Sequence, residues 1–189
     1  MVLAIFRDVL ATALSCEVLD GVGVVTRDEE LLTIAKEAGA EAMSEEGDLN
    51  AALTSATAAM SERGADRVLV LAADLPLARA EDIEAICGAD ADVALVSSGD
   101  GGTNALSVPT KRSIAFQFGP GSAKRHIEAG RKAKLSTLQL DLPRLALDID
   151  TPDDLIRLRI AGENSNGVSA NTLTALERIG IVRAALRDG

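Results

Sequence analysis

Apolar and polar residues alternate along the chain in blocks that predict helices and strands in turn. Residues 2–14 place Leu3, Phe6 and Leu10 at helical spacing, and residues 22–25 follow as a short apolar strand. The pattern predicts further helices at about residues 29–38, 49–63, 79–86, from 122 onward and 171–187, and strands at about residues 40–43, 68–73, 91–96, 105–108, 135–140 and 145–150. Such a succession is typical of an α/β fold.

The apolar run at residues 68–73 is predicted to be the central strand of the fold. It carries no charge, and a strand buried on both faces is typical of parallel sheets. Asp74 comes directly after it, and Pro76 prevents the strand from continuing. Asp74 therefore either caps the next helix or binds a ligand at the carboxyl end of the strand, and the pattern alone favours the cap. A second acidic pair, Asp148 and Asp150, ends another apolar run and favours the ligand.

Local signals predict where the helices begin and how the chain is divided. Thr26 and Glu29 have the spacing of a capping box, and Thr151 is a good N-cap followed by Pro152. Residues 162–170 are rich in Gly, Asn and Ser, which predicts a linker. We therefore predict one main domain over residues 1–160, followed by a linker and helix over 161–189.

Composition narrows the classes of function. The chain has 189 residues, 47% of them hydrophobic, which suits one core. A net charge of −10 and the absence of Trp and Tyr argue against a nucleic-acid partner, while small phosphorylated ligands bound with a divalent cation stay open. Cys16 and Cys87 lack the spacing of a zinc site or a disulfide framework. No apolar run suggests a membrane span or signal peptide, so we expect a cytoplasmic protein.

Four segments in a fixed order resemble one known family. They are Asp74-Leu75-Pro76, Gly101-Gly102-Thr103-Asn104-Ala105-Leu106, Phe118-Gly119-Pro120-Gly121-Ser122 and Asp148-Ile149-Asp150-Thr151-Pro152-Asp153-Asp154-Leu155. Their order and spacing resemble the guanylyltransferases of coenzyme F-420 biosynthesis, which act on 2-phospho-L-lactate or phosphoenolpyruvate. The resemblance extends from the first helix to about Leu158. It implies a three-layer α/β nucleotidyltransferase fold, like that of nucleotide-diphospho-sugar transferases, with a mostly parallel sheet.

The resemblance also implies a set of site residues. It assigns Mg²⁺ binding and catalysis to Asp74, Asp148 and Asp150, contacts with the acceptor acid to Thr103, Gly119 and Ser122, and nucleotide binding to Asn50. Carboxylates are suitable Mg²⁺ ligands, and nucleotidyl transfer depends mainly on positioning and charge neutralisation. The attacking phosphate is already largely ionised at pH 7, so no general base is needed. The implied substrates are GTP and phosphoenolpyruvate, 2-phospho-L-lactate or 3-phosphoglycerate, and a homodimer stays open.

Several of these residues have structural interpretations as well. Ser122 has the position of a helix N-cap, and Thr103 fits a surface turn. His126 is predicted to be a packing or surface residue, and Lys124 and Arg125 to be solvated. Glycines 119 and 121, with the amides that open the following helix, are predicted to form a backbone nest for an anion.

The chain departs from the family pattern at its beginning. Members of the family begin with a strand and a basic loop that cradles the triphosphate, whereas this chain starts at the helix after that loop. We therefore expect little guanylyltransferase activity from a polypeptide that starts at Met1. The alternatives are another nucleotidyltransferase of the same fold, acting on a sugar or molybdopterin substrate, or an inactive remnant that only binds a ligand or partner.

Overall fold

The computed structural model describes residues 1–45, 47–151, 153–158 and 168–178. Except at residues 145–150, helices and strands follow one another in the order that the sequence predicts. In chain order they are α1 (Val2–Leu14), β1 (Gly23–Thr26), α2 (Glu29–Ala38), β2 (Glu41–Ser44), α3 (Leu49–Glu62), β3 (Arg67–Leu71), α4 (Ala80–Cys87), β4 (Val93–Ser97), β5 (Thr103–Pro109), α5 (Ser122–Lys132), β6 (Thr137–Gln139), α6 (153–158) and α7 (Ala170–Arg178). None of the described helices is long and apolar enough to cross a bilayer.

The described strands form two sheets that lie side by side. β1 and β2 pair in parallel, and the second sheet has the order β3-β5-β4-β6. β4 pairs in parallel with β6, whereas β5 runs antiparallel between β3 and β4, so three of these four strands point the same way. Helix α3 packs against both β1 and β3, which places the two sheets next to each other.

Apolar layers cover both faces of the larger sheet. On one face, Ala94, Val96 and Ala105 pack with residues of α1 and α4 and with Leu145. On the other face, Val93, Leu95, Leu106 and Val108 pack under α5 and the segment around Phe116. The result is a helix–sheet–helix sandwich, as the α/β prediction required.

Strand β3 is less enclosed than its sequence predicts. All five of its residues are only half-buried, whereas the first four residues of β4 and the first six of β5 are buried. The reason is pairing: among the described strands, β5 pairs with one edge of β3 and nothing pairs with the other. The prediction of a central strand buried on both faces is therefore wrong for β3, which ends this sheet.

Three further local predictions are wrong. Residues 145–150, all of which the structure describes, form a turn and an irregular segment rather than a strand, and the backbone N–H of Ile149 joins this segment to the Asp74 carbonyl beyond the end of β3. Asp28 rather than Thr26 caps α2, since the Asp28 carboxylate accepts from the amides of Glu30 and Leu31. Gly121 is the N-cap of α5, and the Ser122 predicted to be its cap is the first helical residue.

A buried carboxylate on α1 holds α7 against the main body. Asp8 is 7% exposed and accepts hydrogen bonds from the backbone and side chains of Asn171 and Thr172, at 2.6–3.3 Å. Leu176 continues the contact into an apolar cluster with Leu77 and Leu158. The predicted linker falls largely at residues 159–167, outside the described residues, as does the end of the predicted last helix.

Candidate active site

The carboxylates predicted to act together meet at the end of β3. Asp74 follows β3, and the backbone N–H of Ile149 donates to the Asp74 carbonyl at 3.2 Å. That bond places Asp148 and Asp150, on either side of Ile149, next to Asp74. Arg79 is the N-cap of α4, so Asp74 does not cap that helix and the interpretation favoured by the local pattern is wrong. The structure thus brings together the three acidic residues that sequence reasoning selected.

The electrostatics of this edge show that the carboxylates repel one another. Burial, followed by the charges of Asp148 and Asp150, raises the pKa of Asp74 above its ordinary value. Burial and the charge of Asp150 likewise raise the pKa of Asp148, and Asp100 adds to the effect. Unneutralised negative charge in a half-buried site favours a positively charged ligand there.

One atom at this edge bears on whether a metal fits. Asp74 Oδ1 is buried and has no hydrogen-bond partner among the described residues, which is costly for a carboxylate oxygen unless something else binds it. The donor set is all oxygen, as Mg²⁺ prefers. In the described part of the chain, however, no three Asp, Glu, His or Cys side chains already stand in a metal-binding arrangement. The residue types and the orphaned oxygen fit a cation, and the side chains would have to draw together around it.

A β-bulge in β5 reverses the faces of the sheet to which Thr103 and Asn104 point. The register between β4 and β5 shifts at Val96 and Ser97, where two residues of β5 stand opposite one of β4. Strict alternation would put Thr103 on the same face as Ala105; the bulge turns it toward α5 instead. Asn104 points the other way, and its amide donates to the Leu145 carbonyl at 3.0 Å. The Asn104 amide also counteracts the rise in the pKa of Asp148.

The predicted acceptor residues meet on the α5 side of the sheet. Thr103 Oγ1 lies 2.9 Å from Ser122 Oγ and 3.1 Å from His126 Nδ1. All three side chains are buried: Thr103 is 8% exposed, Ser122 1% and His126 0%. Thr103 is therefore not part of a surface turn, and the Ser122 hydroxyl serves this cluster rather than capping its helix. The prediction of His126 as a packing or surface residue is correct only for packing.

Side chains of α3 and α5 hold the backbone of the loop at residues 116–121. Asn50 on α3 accepts from the Phe118 N–H at 2.7 Å and donates to the Phe118 carbonyl at 3.4 Å. Arg125 donates to the carbonyls of Gln117 and Pro120, so it is not the solvated residue that we predicted. Asn50 was predicted to bind nucleotide; its amide bonds this loop in the structure, and the nucleotide role stays a prediction.

The loop has room for a ligand at its two glycines. Gly119 and Gly121 adopt φ values of 123° and 68°, which residues other than Gly rarely adopt. A Cβ at either position would meet only the Arg125 guanidinium within 4 Å. The predicted nest is partly wrong, because the amides of Ser122 and Ala123 already donate to the carbonyls of Gly119 and Gly101. Anion binding at this loop would therefore rest on hydroxyls and on the Arg125 guanidinium more than on helix amides.

Sequence reasoning missed two residues beside the carboxylates. Asp100 stands in the loop after β4, where its carboxylate accepts from the Ser98 hydroxyl and the Gly102 amide, which lowers its pKa. Asn104 was seen only as part of a motif. No periodicity signals either one, because their placement depends on the bulge and on a tight loop.

Solved structures place the fold in a known class. The chain matches the structure of a "putative nucleotide-diphospho-sugar transferase" of Desulfovibrio desulfuricans G20, with a TM-score of 0.72 at 20% identity over 95% of this chain and 84% of that one. It also matches a 4-diphosphocytidyl-2C-methyl-D-erythritol synthase with a TM-score of 0.63 at 14% identity, over 82% and 87% of the two chains. These likenesses show that the chain has the α/β fold of these transferases and synthases.

Sequence comparison identifies the family within that class. The family model described as "Guanylyl transferase CofC like" matches residues 1–182, and the chain belongs to this family. A phosphoenolpyruvate guanylyltransferase of Roseiflexus castenholzii is 40% identical over 157 residues, 82% of this chain and 73% of that protein. A 2-phospho-L-lactate guanylyltransferase of Methanocaldococcus fervens is 35% identical over 146 residues, 75% and 66% of the two chains. The resemblance stated from the motifs is confirmed, and the chain is a nucleotidyltransferase.

Proposed function

We propose that this protein transfers GMP from GTP to a small phosphorylated carboxylic acid and releases pyrophosphate, as a step in coenzyme F-420 biosynthesis. The observation that carries the proposal is the bulge in β5, which joins two chemically different groups of side chains. Asn104 belongs to the carboxylate edge, and the adjacent Thr103 belongs to the hydroxyl cluster with Ser122. Such an arrangement suits a reaction between a metal-bound triphosphate and an anionic acceptor. The nucleotide and the acids are inferred from the names of the relatives, which are guanylyltransferases of phosphoenolpyruvate and of 2-phospho-L-lactate.

Asp74, Asp148 and Asp150 are the residues that would hold Mg²⁺. Bound there, the ion would supply positive charge against the triphosphate and stabilise the leaving pyrophosphate. The chain's own contribution at this edge is to keep the carboxylates close and partly shielded from water, where their mutual repulsion favours cation binding. Asn104 adds an amide that counteracts the rise in the pKa of Asp148.

Thr103, Gly119 and Ser122 are the proposed contacts of the acceptor. The hydroxyls offer hydrogen bonds to a carboxylate or phosphate oxygen, and Gly119 leaves space where a side chain would intrude. Because the attacking phosphate oxygen is already ionised near neutral pH, the protein needs to orient it rather than remove a proton. The role of these residues is thus to bind and to align.

The test is a single-turnover assay with enzyme in excess, so that slow transfer still accumulates product. GTP, CTP and UTP are each supplied with Mg²⁺ and with phosphoenolpyruvate, 2-phospho-L-lactate or 3-phosphoglycerate, and products are identified by mass. We expect a guanylylated acid with GTP and at most traces with the pyrimidine nucleotides. Asp148→Asn is the matched control and should give at least a hundredfold less product. Product from CTP in preference to GTP, or ligand binding without any transfer, would contradict the proposal.

A further inference from the structure

The hydroxyl cluster contains a hydrogen-bond chain that starts from a fixed donor. It begins at the backbone N–H of Gln117, which donates to His126 Nε2 at 2.9 Å. It continues from His126 Nδ1 to Thr103 Oγ1 at 3.1 Å, and from there to Ser122 Oγ at 2.9 Å. All of these groups except Gln117 belong to buried residues.

The first link fixes the state of the imidazole. A backbone N–H can only donate, so Nε2 of His126 must carry a lone pair and no proton. The ring is therefore neutral and carries its proton on Nδ1. Protonation of Nε2 would break the bond from the Gln117 N–H. Burial, followed by the charge of Arg125, lowers the pKa of His126 to about 4, which agrees with a neutral ring at pH 7.

That tautomer fixes the next link, in which Nδ1–H donates to Thr103 Oγ1. Between Thr103 and Ser122 either hydroxyl is a geometrically suitable donor, and a Thr103 hydroxyl that donates to Ser122 Oγ continues the chain in the same direction. Thr103 is the only hydrogen-bond partner of Ser122 Oγ in the described ranges. In that arrangement the Ser122 proton is the one that remains for a ligand.

We propose that His126 is a positioning residue that fixes the Ser122 hydroxyl as a donor toward an ionised oxygen of the acceptor acid. This inference rests on the proposed function for the identity of the acid. A hydroxyl of fixed direction favours a carboxylate or phosphate oxygen, which only accepts, over a ligand group that must donate. His126 itself touches no substrate; it acts through Thr103.

The direction of the chain is measured without any turnover. His126 is the single histidine of the sequence, so a protein with ¹⁵N-labelled imidazole gives one unambiguous set of ring signals. We expect the Nδ1–H tautomer at pH 7 and no protonation of the ring between pH 8 and pH 5. A ring protonated at Nε2, or one that titrates near its ordinary pKa, would overturn the inference whether or not the protein transfers GMP.

Two amide substitutions separate the two ends of the imidazole. In His126→Asn the amide nitrogen can stand near the Nδ1 position and donate to Thr103, whereas in His126→Gln the amide oxygen can stand near Nε2 and accept from Gln117. Both lose the edge contact of the ring with Phe118, whose centroid lies 5.0 Å away, so each is the other's control for packing. Melting temperatures check that both variants are folded.

Calorimetry with phosphoenolpyruvate and, separately, with GTP and Mg²⁺ gives the decisive comparison. We expect His126→Gln to raise the dissociation constant for phosphoenolpyruvate at least tenfold, His126→Asn to change it less than threefold, and neither to change GTP binding more than twofold. Equal losses in both variants, or a loss of GTP affinity, would show that the ring only supports the loop. Failure of the unsubstituted protein to bind phosphoenolpyruvate would contradict the proposed function instead, and the ring signals would still decide the direction of the chain.

Discussion

At the scale of single residues, the ionised Asp74 lowers the stability of the fold and is a proposed ligand of Mg²⁺. Its raised pKa means that the folded state holds the proton more tightly than the unfolded chain does. Ionisation therefore destabilises the fold, and this loss develops as the pH rises from the ordinary Asp value through the raised one. A group that destabilises the empty protein is retained where it serves a ligand.

Asp74→Asn tests whether Asp74 both lowers stability and binds Mg²⁺. At pH 7 without metal, we expect the variant to melt at a higher temperature than the unsubstituted protein, because an uncharged amide replaces a repelled carboxylate. Mg²⁺ should raise the melting temperature of the unsubstituted protein and leave that of the variant almost unchanged. Asp28→Asn, at the solvent-exposed cap of α2, is the control for loss of one negative charge. An equal Mg²⁺ effect in all three proteins would remove Asp74 from the metal site.

Ser122→Ala tests the proposed acceptor contact. Because Ser122 is the first residue of α5 and not its cap, the change removes no capping bond. We expect the affinity for phosphoenolpyruvate to fall about tenfold, roughly 1.4 kcal/mol, while GTP binding stays within a factor of two. Titrations of both ligands provide the measurement. Parallel losses for the two ligands would indicate general damage to the helix terminus.

At the scale of elements, the loop at residues 116–121 takes its shape from two helices far apart in sequence. Asn50 on α3 and Arg125 on α5 hold its carbonyl and amide groups. We expect Asn50→Ala to weaken binding of the acceptor acid, since the Phe118 backbone loses both bonds. If Asn50 instead binds nucleotide, as the resemblance implies, GTP affinity should fall and acceptor affinity should not.

Isothermal titration of Asn50→Ala with phosphoenolpyruvate and, separately, with GTP and Mg²⁺ distinguishes the two roles of Asn50. A loss confined to GTP would rule out support of the loop as its main function.

The position of helix α7 depends on one carboxylate of α1, that of Asp8. Asp8 satisfies two backbone amides and two side chains at the start of α7. We expect Asp8→Ala to destabilise the protein by about 1–3 kcal/mol, a fall in melting temperature of roughly 2–10 °C. The affinity for either proposed substrate should change little, because the hydrogen bonds of Asp8 go to α7 and to none of the proposed site residues. A stable variant would mean that α7 docks through its apolar contacts alone.

At the scale of the whole molecule, the sequence predicts elements well and their connections poorly. The order of helices and strands and the grouping of Asp74 with Asp148 follow from apolar periodicity and from residues at the ends of apolar runs. The antiparallel direction of β5 and its bulge do not, since both depend on pairing with β3 and β4. The sequence predicts the wrong cap for α2, because two suitable cap residues, Thr26 and Asp28, stand close together and the local pattern cannot choose between them.

The unpaired edge of β3 has a consequence for the exchange of backbone hydrogens with solvent. The flanking bonds from Ala72 to Asn104 and from Thr110 to Asp66 show that even-numbered residues of β3 face β5. The amides of Leu69 and Leu71 therefore point to the other edge, where no described strand pairs with them. In deuterium oxide we expect these two amides to exchange at least a hundredfold faster than those of Val68 and Val70. Uniform protection along β3, measured by nuclear magnetic resonance, would mean that another strand covers this edge in solution.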